Sequence, residues 1–352
     1  MLRLVSTFAS VFAAACFAAA CLSGACAQSH DLGVDTSTGT GGAGGAATTT
    51  TTTGGTHTTG FDAGLVEPSG PTALTVVDGI NDYPAIQICF LPGQTPWPGA
   101  AGLAFGGAQA VGLATDLPAG VDVTPWVIAG DLSATAGRTC DQILALAQPG
   151  DGGSPPIVAT PLGVIPQTVL ASQRSLLLVP IGCMGGPAED GGVNMAACGE
   201  AYSPETPTTG VVFVALSRIT DPAHVALQVV SASVAFPTMD FRIEPNLSGA
   251  MERQVVPALS QGAVGPYPPF VGLALADLGA LPGVQLRTYS PGQTMPGSTV
   301  MLSDVLATSP VGTSDIVNGA GLVLVVIGSA PGVTAGSFWH KLTYALIKAD
   351  PG

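Results

Sequence analysis

Basic side chains are scarce: the 352-residue chain has 9 Lys and Arg against 23 Asp and Glu, a formal net charge of −14. This excludes a nucleic-acid partner, because binding a phosphate backbone needs a basic patch that releases counterions. The acidity itself is read as solubility. Charged residues of both signs amount to 9%, beside 48 Gly and 30 Pro, which argues against long surface helices and for short strands joined by many turns. Catalytic signatures are missing too. Neither G-x-S-x-G nor H-E-x-x-H occurs, and the Gly-rich stretches "GGPAEDGG" and "GDGGSPP" lack the Lys and following helix of a phosphate loop. Past the amino-terminal region no apolar run approaches the ~18 residues of a spanning helix. "GLVLVVIG" at 321–328 is far shorter and reads as a buried strand.

What is present begins with an export signal. Residues 1–27 place Arg3 ahead of an apolar run rich in Ala and Phe that ends in small residues. Two cleavage readings stand side by side. Ala25-Cys26-Ala27 before Gln28 has the small-x-small form, whereas "LSGAC" resembles a bacterial lipobox that would lipidate Cys26, with Cys21 in "FAAAC" a second lipidation candidate. Either reading exports the protein, as an outer-membrane or cell-surface lipoprotein or as a secreted one, and the lipid anchor is its only implied contact with membrane. Residues 28–70 follow as a Gly/Thr-rich tether with almost no apolar side chain to offset the entropy of ordering it. Such a chain reaches roughly 30 Å root-mean-square. His30 and His57 fall in it and are read as solvated linker residues.

Beyond the signal region, Cys89, Cys140, Cys183 and Cys198 form an even set in an exported chain, which points to disulfides. Three connectivities are open. Cys183 and Cys198 flank the loop "MGGPAEDGGVNMAA", so local closure is the natural pairing and leaves Cys89 for Cys140. A zinc site would want close C-x₂₋₄-C pairs, which are absent.

An internal repeat organises the rest. "ALTVVDGINDYPAIQICFLP" at 73–92 lies over "ALQVVSASVAFPTMDFRIEP" at 226–245 with a constant offset of 153 residues. "LPAGVDV" at 117 resembles "LPGVQLR" at 281, "DQILA" at 141 resembles "DVLA" at 304, and "SLLLVPIG" at 175 resembles "GLVLVVIG" at 321. A duplication follows, with one module over 71–222 and a second over 223–352. Asp78, Asn81 and Asp82 of the first copy are replaced by Ser231, Val234 and Ala235 in the second. "DGINDYPAIQIC" supplies no late bidentate acid for calcium. These acids are therefore expected to shape a surface turn, with no bound ion, and to be replaceable at a cost of no more than about 1 kcal/mol.

Each half reads as short apolar or alternating runs between Pro/Gly turns, an all-β pattern of two tandem β-sandwiches. "TCDQILALA" at 139–147 is the best helical stretch, with Thr139 as N-cap. In the second copy Val229, Ala232, Ser233, Pro237 and Asp240, with Val230 beside the first, fit the pattern V-x-V-x-x-A-S-x-x-x-P-x-x-D. That pattern resembles the opening of an uncharacterised bacterial surface-domain family found singly and in tandem. The first copy matches at Val76, Val77 and Pro84 but has Gln87 at the Asp position. The resemblance implies an Ig-like fold for each β-sandwich module on an exported or anchored protein, and it implies no activity.

The remaining chemistry is sparse. His224 and His340 read as surface or strand-end residues, and Glu189-Asp190 as a loop tip. Trp97, Trp126, Trp339, Tyr267 and Phe270 are candidates for a sugar-stacking platform but read better as core. The expectation is a non-catalytic cell-surface or periplasmic binding or scaffold protein, not an enzyme and without metal or cofactor, whose partner is an extracellular protein or glycan. The alternative is a secreted hydrolase or carbohydrate-binding accessory with an unrecognised acidic site. Mass spectrometry of the mature amino terminus is expected to find a diacylglyceryl-modified Cys21 or Cys26, or an unmodified Gln28; an intact stretch 1–20 would contradict both export readings.

Overall fold

A computed structural model describes residues 66–148, 156–185, 195–198, 202–203, 206–268, 270–329 and 340–351. The export signal with Cys21 and Cys26, the tether before residue 66, Glu189, Asp190 and Trp339 lie outside the described residues. In the first half the strands are β1 (Ala73–Val77), β2 (Gly79–Ile80), β3 (Ala85–Leu91), β4 (Pro96–Trp97), β5 (Leu103–Ala104), β6 (Ala108–Val111), β7 (Thr124–Gly130), β8 (Ile157–Pro161), β9 (Ser175–Gly182) and β10 (Gly210–Leu216). In the second they are β11 (Ala226–Ser231), β12 (Thr238–Glu244), β13 (Arg253–Ser260), β14 (Val264–Gly265), β15 (Gln285–Tyr289), β16 (Ser298–Met301), β17 (Gly321–Ile327) and β18 (Thr343–Lys348). Helices are short: α1 (Cys140–Leu146), α2 (Gln167–Leu170), α3 (Met195–Cys198), α4 (Leu275–Leu278) and α5 (Leu302–Thr308). None among the described residues is long and apolar enough to cross a membrane.

These strands make four sheets, and the strand order of the first half recurs in the second. β10-β9-β1-β6 matches β18-β17-β11-β14, and β4-β3-β7-β8 matches β13-β12-β15-β16. In both halves the opening strand pairs in parallel with the penultimate one, Ala73 opposite Ser175 and Ala226 opposite Gly321. The two apolar strands aligned by sequence, Ser175–Gly182 and Gly321–Ile327, thus occupy one topological position. The helices correct the alignment. α1 lies between β7 and β8 whereas α5 lies between β16 and β17, so in chain order "DVLA" answers α2 and not "DQILA".

Three apolar layers separate the four sheets. Leu74, Val76, Ile86, Ile88, Leu176 and Leu178 belong to the layer within the first half, and Leu227, Val229, Phe241, Leu322, Leu324 and Tyr344 to that within the second. The third layer joins the halves: Val77, Leu177, Val179 and Ile181 share it with Val230, Val323, Val325 and Ile327. Odd and even residues of β9 and β17 therefore enter different cores. This accounts for "SLLLVPIG" and "GLVLVVIG" being apolar throughout, since a strand buried on both faces has no polar side to alternate with. The approach is close at Gly79, where an added Cβ would lie 2.9 Å from the Pro180 carbonyl and 3.2 Å from Ile327.

The outermost sheets differ. Over β3, β7 and β8 the first half folds α1, burying Ile143 and Cys140 against Cys89, Ile128 and Ile157. Thr139 caps this helix in a reciprocal box with Gln142, as its sequence implies. The second half leaves its outer face to charged side chains. Because the halves share a core, the full chain is expected to unfold in one cooperative transition, and residues 223–352 alone, exposing Val323, Val325 and Ile327, to aggregate. Denaturation followed by two probes and size-exclusion chromatography of the fragment check this; two separate transitions would contradict it.

Candidate functional site

The segment Asp78–Tyr83, expected as a surface turn, is buried: Asp78 and Asp82 are 0% exposed and Asn81 is 1%. The turn chemistry holds, since Asp78 Oδ1 accepts the Ile80 amide at 2.9 Å. The location does not. Repeat comparison could show that the acids occur in one copy only, but not that the loop after β9 folds over them. That loop is held by Asp82, whose carboxylate accepts the amides of Met184 at 3.0 Å and Gly185 at 2.8 Å. Tyr83 Oη donates to the Gly185 carbonyl at 2.6 Å, and Asn81 Nδ2 donates to the Ala197 carbonyl at 2.8 Å. Burial pushes Asp82 up to about 6 against these amide bonds, and burial followed by the Asp82 charge raises Asp78 well above the usual carboxylate range.

His340 ties this turn to the second half. Its amide donates to the Asn81 carbonyl at 2.9 Å, its Nε2 to the Tyr83 carbonyl at 3.0 Å, and its ring stacks on Phe105 at 3.9 Å between centroids. It is thus a partly buried bridge, not a free strand-end residue, and burial lowers its pKa despite the bond to Tyr83. His224 stays near the surface with Nδ1 2.7 Å from Asp221. His224 and His340 therefore lie apart, one beside Asp221 and the other on the Tyr83 carbonyl.

Both expected disulfides are formed, Cys89–Cys140 and Cys183–Cys198. They fit an oxidising, extracytoplasmic compartment. The first fastens α1 to β3; the second closes the loop that Asp82 grips, with Thr208 Oγ1 donating to the Cys198 carbonyl at 2.7 Å. Of the aromatic residues proposed for stacking, Trp97 is in the core of the first half and Trp126 packs beside α1, while Tyr267 is half exposed. They form no common platform.

A partly buried group of charged side chains gathers instead on the outer face of β12 and β15. Met239, Phe241, Ile243 and Leu286 face the core, so Asp240, Arg242, Glu244 and Arg287 face outward. Arg242 and Arg287 stand directly opposite each other. Glu252 lies between them, 3.2 Å from Arg242 and 3.3 Å from Arg287, and accepts the Tyr289 hydroxyl at 2.5 Å. Against the burial that would raise it, these bonds hold the Glu252 carboxyl below its ordinary value. Glu244 pairs with Arg287, and Arg242 covers the Tyr289 ring at 4.3 Å. Asp240, the acid of the family-like pattern, accepts the Ala258 amide at 2.8 Å beside a register shift in the β12–β13 ladder, so its part is to shape an irregular strand pair. Sequence gave no warning of this ladder, because its members come from separate segments.

A polar cleft of about 330 Å³ lies at the opposite end of the seam, lined by Arg218, Thr220, Asp315, Lys348 and Asp350 among others. Arg218 is buried: it reaches the carbonyls of Gln173 and Pro71 and lies 3.3 Å from Asp350. Its amide donates to Glu67, so the chain is pinned inside the stretch read as tether. Lys348 pairs with Asp315 at 3.0 Å.

The chain matches no protein-family model and no curated protein sequence. The site is therefore judged on geometry. Among the described residues no group of three His, Cys, Asp or Glu is placed to hold a metal ion.

The raised Asp82 predicts a pH dependence. A carboxyl with its folded-state pKa above the unfolded value of about 3.9 contributes stability that is present at low pH and lost as pH rises toward the folded value. Asp82 should thus remove on the order of 2–3 kcal/mol between about pH 4 and 6. Urea denaturation across this range should show a component of the decline that disappears in Asp82→Asn, itself destabilised by about 1–3 kcal/mol through the lost acceptor. A parent profile identical in slope to the variant would contradict the assignment. The sequence-based expectation of a loss no greater than about 1 kcal/mol is withdrawn, because it assumed solvated side chains.

Proposed function

We propose that this chain is an exported, non-catalytic binding or scaffold protein, carried to the cell surface or periplasm on its amino-terminal tether and built from two fused Ig-like β-sandwich modules. The resemblance of residues 226–245 to a bacterial surface-domain family is part of this reading. The observation that carries it is the arrangement of the charges: Arg242, Glu252 and Arg287 form a partly exposed ladder on the outer face of β12 and β15, while the acids of the sequence motif are held by backbone amides inside the protein. A flat face with guanidinium and carboxylate groups in register suits a hydrogen-bonding partner such as a glycan or a polar protein surface.

The cleft is where a hydrolase reading would have to reside, since Asp315 and Asp350 both line it. Glycoside cleavage needs one carboxyl kept protonated. Asp315 is instead lowered, first by the Gly312 amide and then by Lys348, and each acid already has a cation beside it. That environment disfavours a general acid. The test is binding of the purified protein to an array of surface glycans and extracellular proteins, with hydrolysis assayed on the same panel. Saturable binding weakened at least tenfold by the double change Arg242→Ala and Arg287→Ala, without turnover, is the expected result; turnover abolished by Asp315→Asn would replace this reading with the enzymatic one.

A further inference from the structure

Two buried oxygen atoms of the segment Asp78–Tyr83 have no hydrogen-bond partner among the described residues, Oδ2 of Asp78 and Oδ1 of Asn81. Their residues are at most 1% exposed. An unpaired buried acceptor is costly, and both are acceptors if Asp78 is ionised. Exchanging the amide atoms of Asn81 does not remove the deficit, because Nδ2 is already committed to the Ala197 carbonyl and would leave that oxygen facing another. A carboxyl proton on Asp78 donated to Asn81 would satisfy both oxygens at once.

The charges around the turn lead to the same arrangement. Asp82, on the same turn, already has both carboxylate oxygens on backbone amides. His340 approaches from the second half, donates through Nε2 to a carbonyl, and is held neutral by burial. Strands β1, β9 and β17, residues 104–107 and the stretch Cys183–Gly185 hold no Asp, Glu, His, Lys or Arg, and Cys183 is in a disulfide. Among the described residues nothing cationic faces Asp78, while Asp82 repels a second negative charge.

We propose that Asp78 keeps its proton in the folded protein and donates it through Oδ2 to Oδ1 of Asn81, which makes the bridge between the two halves a proton-held latch that alkali releases. Asn81 is the residue through which the latch acts: its side chain holds Ala197 of the disulfide loop, its amide the Gly182 carbonyl, and its own carbonyl accepts from His340. Ionising Asp78 would leave both buried oxygens without a donor at that junction. By linkage, a carboxyl protonated in the folded state and ionised in the unfolded one makes stability decline as pH rises, beyond the window in which Asp82 has finished titrating.

Asp78→Asn tests this on the full exported chain with both disulfides formed. The amide can accept from Ile80 as before and present an N–H to Asn81, as the protonated acid does. Thermal melts between about pH 6 and 10 should fall by several degrees for the parent and stay flat for Asp78→Asn, which should melt at least as high as the parent at neutral pH. Asp78→Ala, which leaves Asn81 Oδ1 unpaired, should melt lower at every pH. An alkaline slope unchanged in Asp78→Asn would overturn the proposal. So would a parent melting point raised by calcium and lowered by chelator, lost in Asp78→Asn, for then the two oxygens hold a cation. Infrared spectroscopy of the parent at about pH 8, where Asp82 is ionised, needs no variant to fold: a protonated-carboxyl C=O band is expected, and its absence would also overturn the proposal.

Discussion

The apolar layer shared by β1, β9 and β10 with β11, β17 and β18 is the constraint from which the rest of the molecule follows. A β-sandwich usually turns one face of each sheet to water and needs polar residues there. Here the two inner sheets have no wet face. Leu177, Val179 and Ile181 pack toward Val323, Val325 and Ile327, so the low charge of the chain matches its architecture. Burying those faces is favourable at roughly 25 cal/mol per Å² of apolar surface, but apolar contact sets no register between two similar surfaces. Polar pins at the two ends of the seam supply it.

At one end the buried Arg218 gathers Gln173, Pro71 and Asp350, and Gln228 exchanges two hydrogen bonds with Ser217 at the crossing between halves. At the other end Asn81 and Tyr83 hold His340. Each buried polar side chain there is costly if left unpaired, and so specifies one arrangement over its neighbours. The outer sheets stabilise themselves differently because nothing covers them equally. Helix α1 and the Cys89–Cys140 bond close one outer face, and the Arg242–Glu252–Arg287 ladder leaves the other polar and partly exposed.

The buried acids place the two halves of the functional argument together. Groups that look catalytic in a sequence earn that role by facing a cavity with an adjusted proton affinity. Asp78 and Asp82 have the adjusted affinity without the cavity, and the cleft near Arg218 has the cavity with its acids neutralised by cations. Neither location combines both conditions.

The strands, the N-cap of α1, the recurrence of one strand pattern in both halves and both disulfide pairings were legible in the sequence, because each rests on local spacing: alternation or runs of apolar residues, Thr139 ahead of Gln142, and cysteines flanking a Gly-rich loop. The face-to-face joining of the halves was present in the unbroken apolar runs of β9 and β17 but could equally have meant ordinary cores. Only the tertiary structure decided that Asp78 and Asp82 are interior, where Gly182, Met184, Gly185, Ala197 and His340, far away in the chain, bond to their turn. It also decided that arginines and glutamates from β12, β15 and the segment before β13 meet on one face. Periodicity records which side of its own strand a residue occupies; which neighbour covers that side is settled by pairing between segments distant in sequence, where the energetic choice between water, an amide and another charge is made.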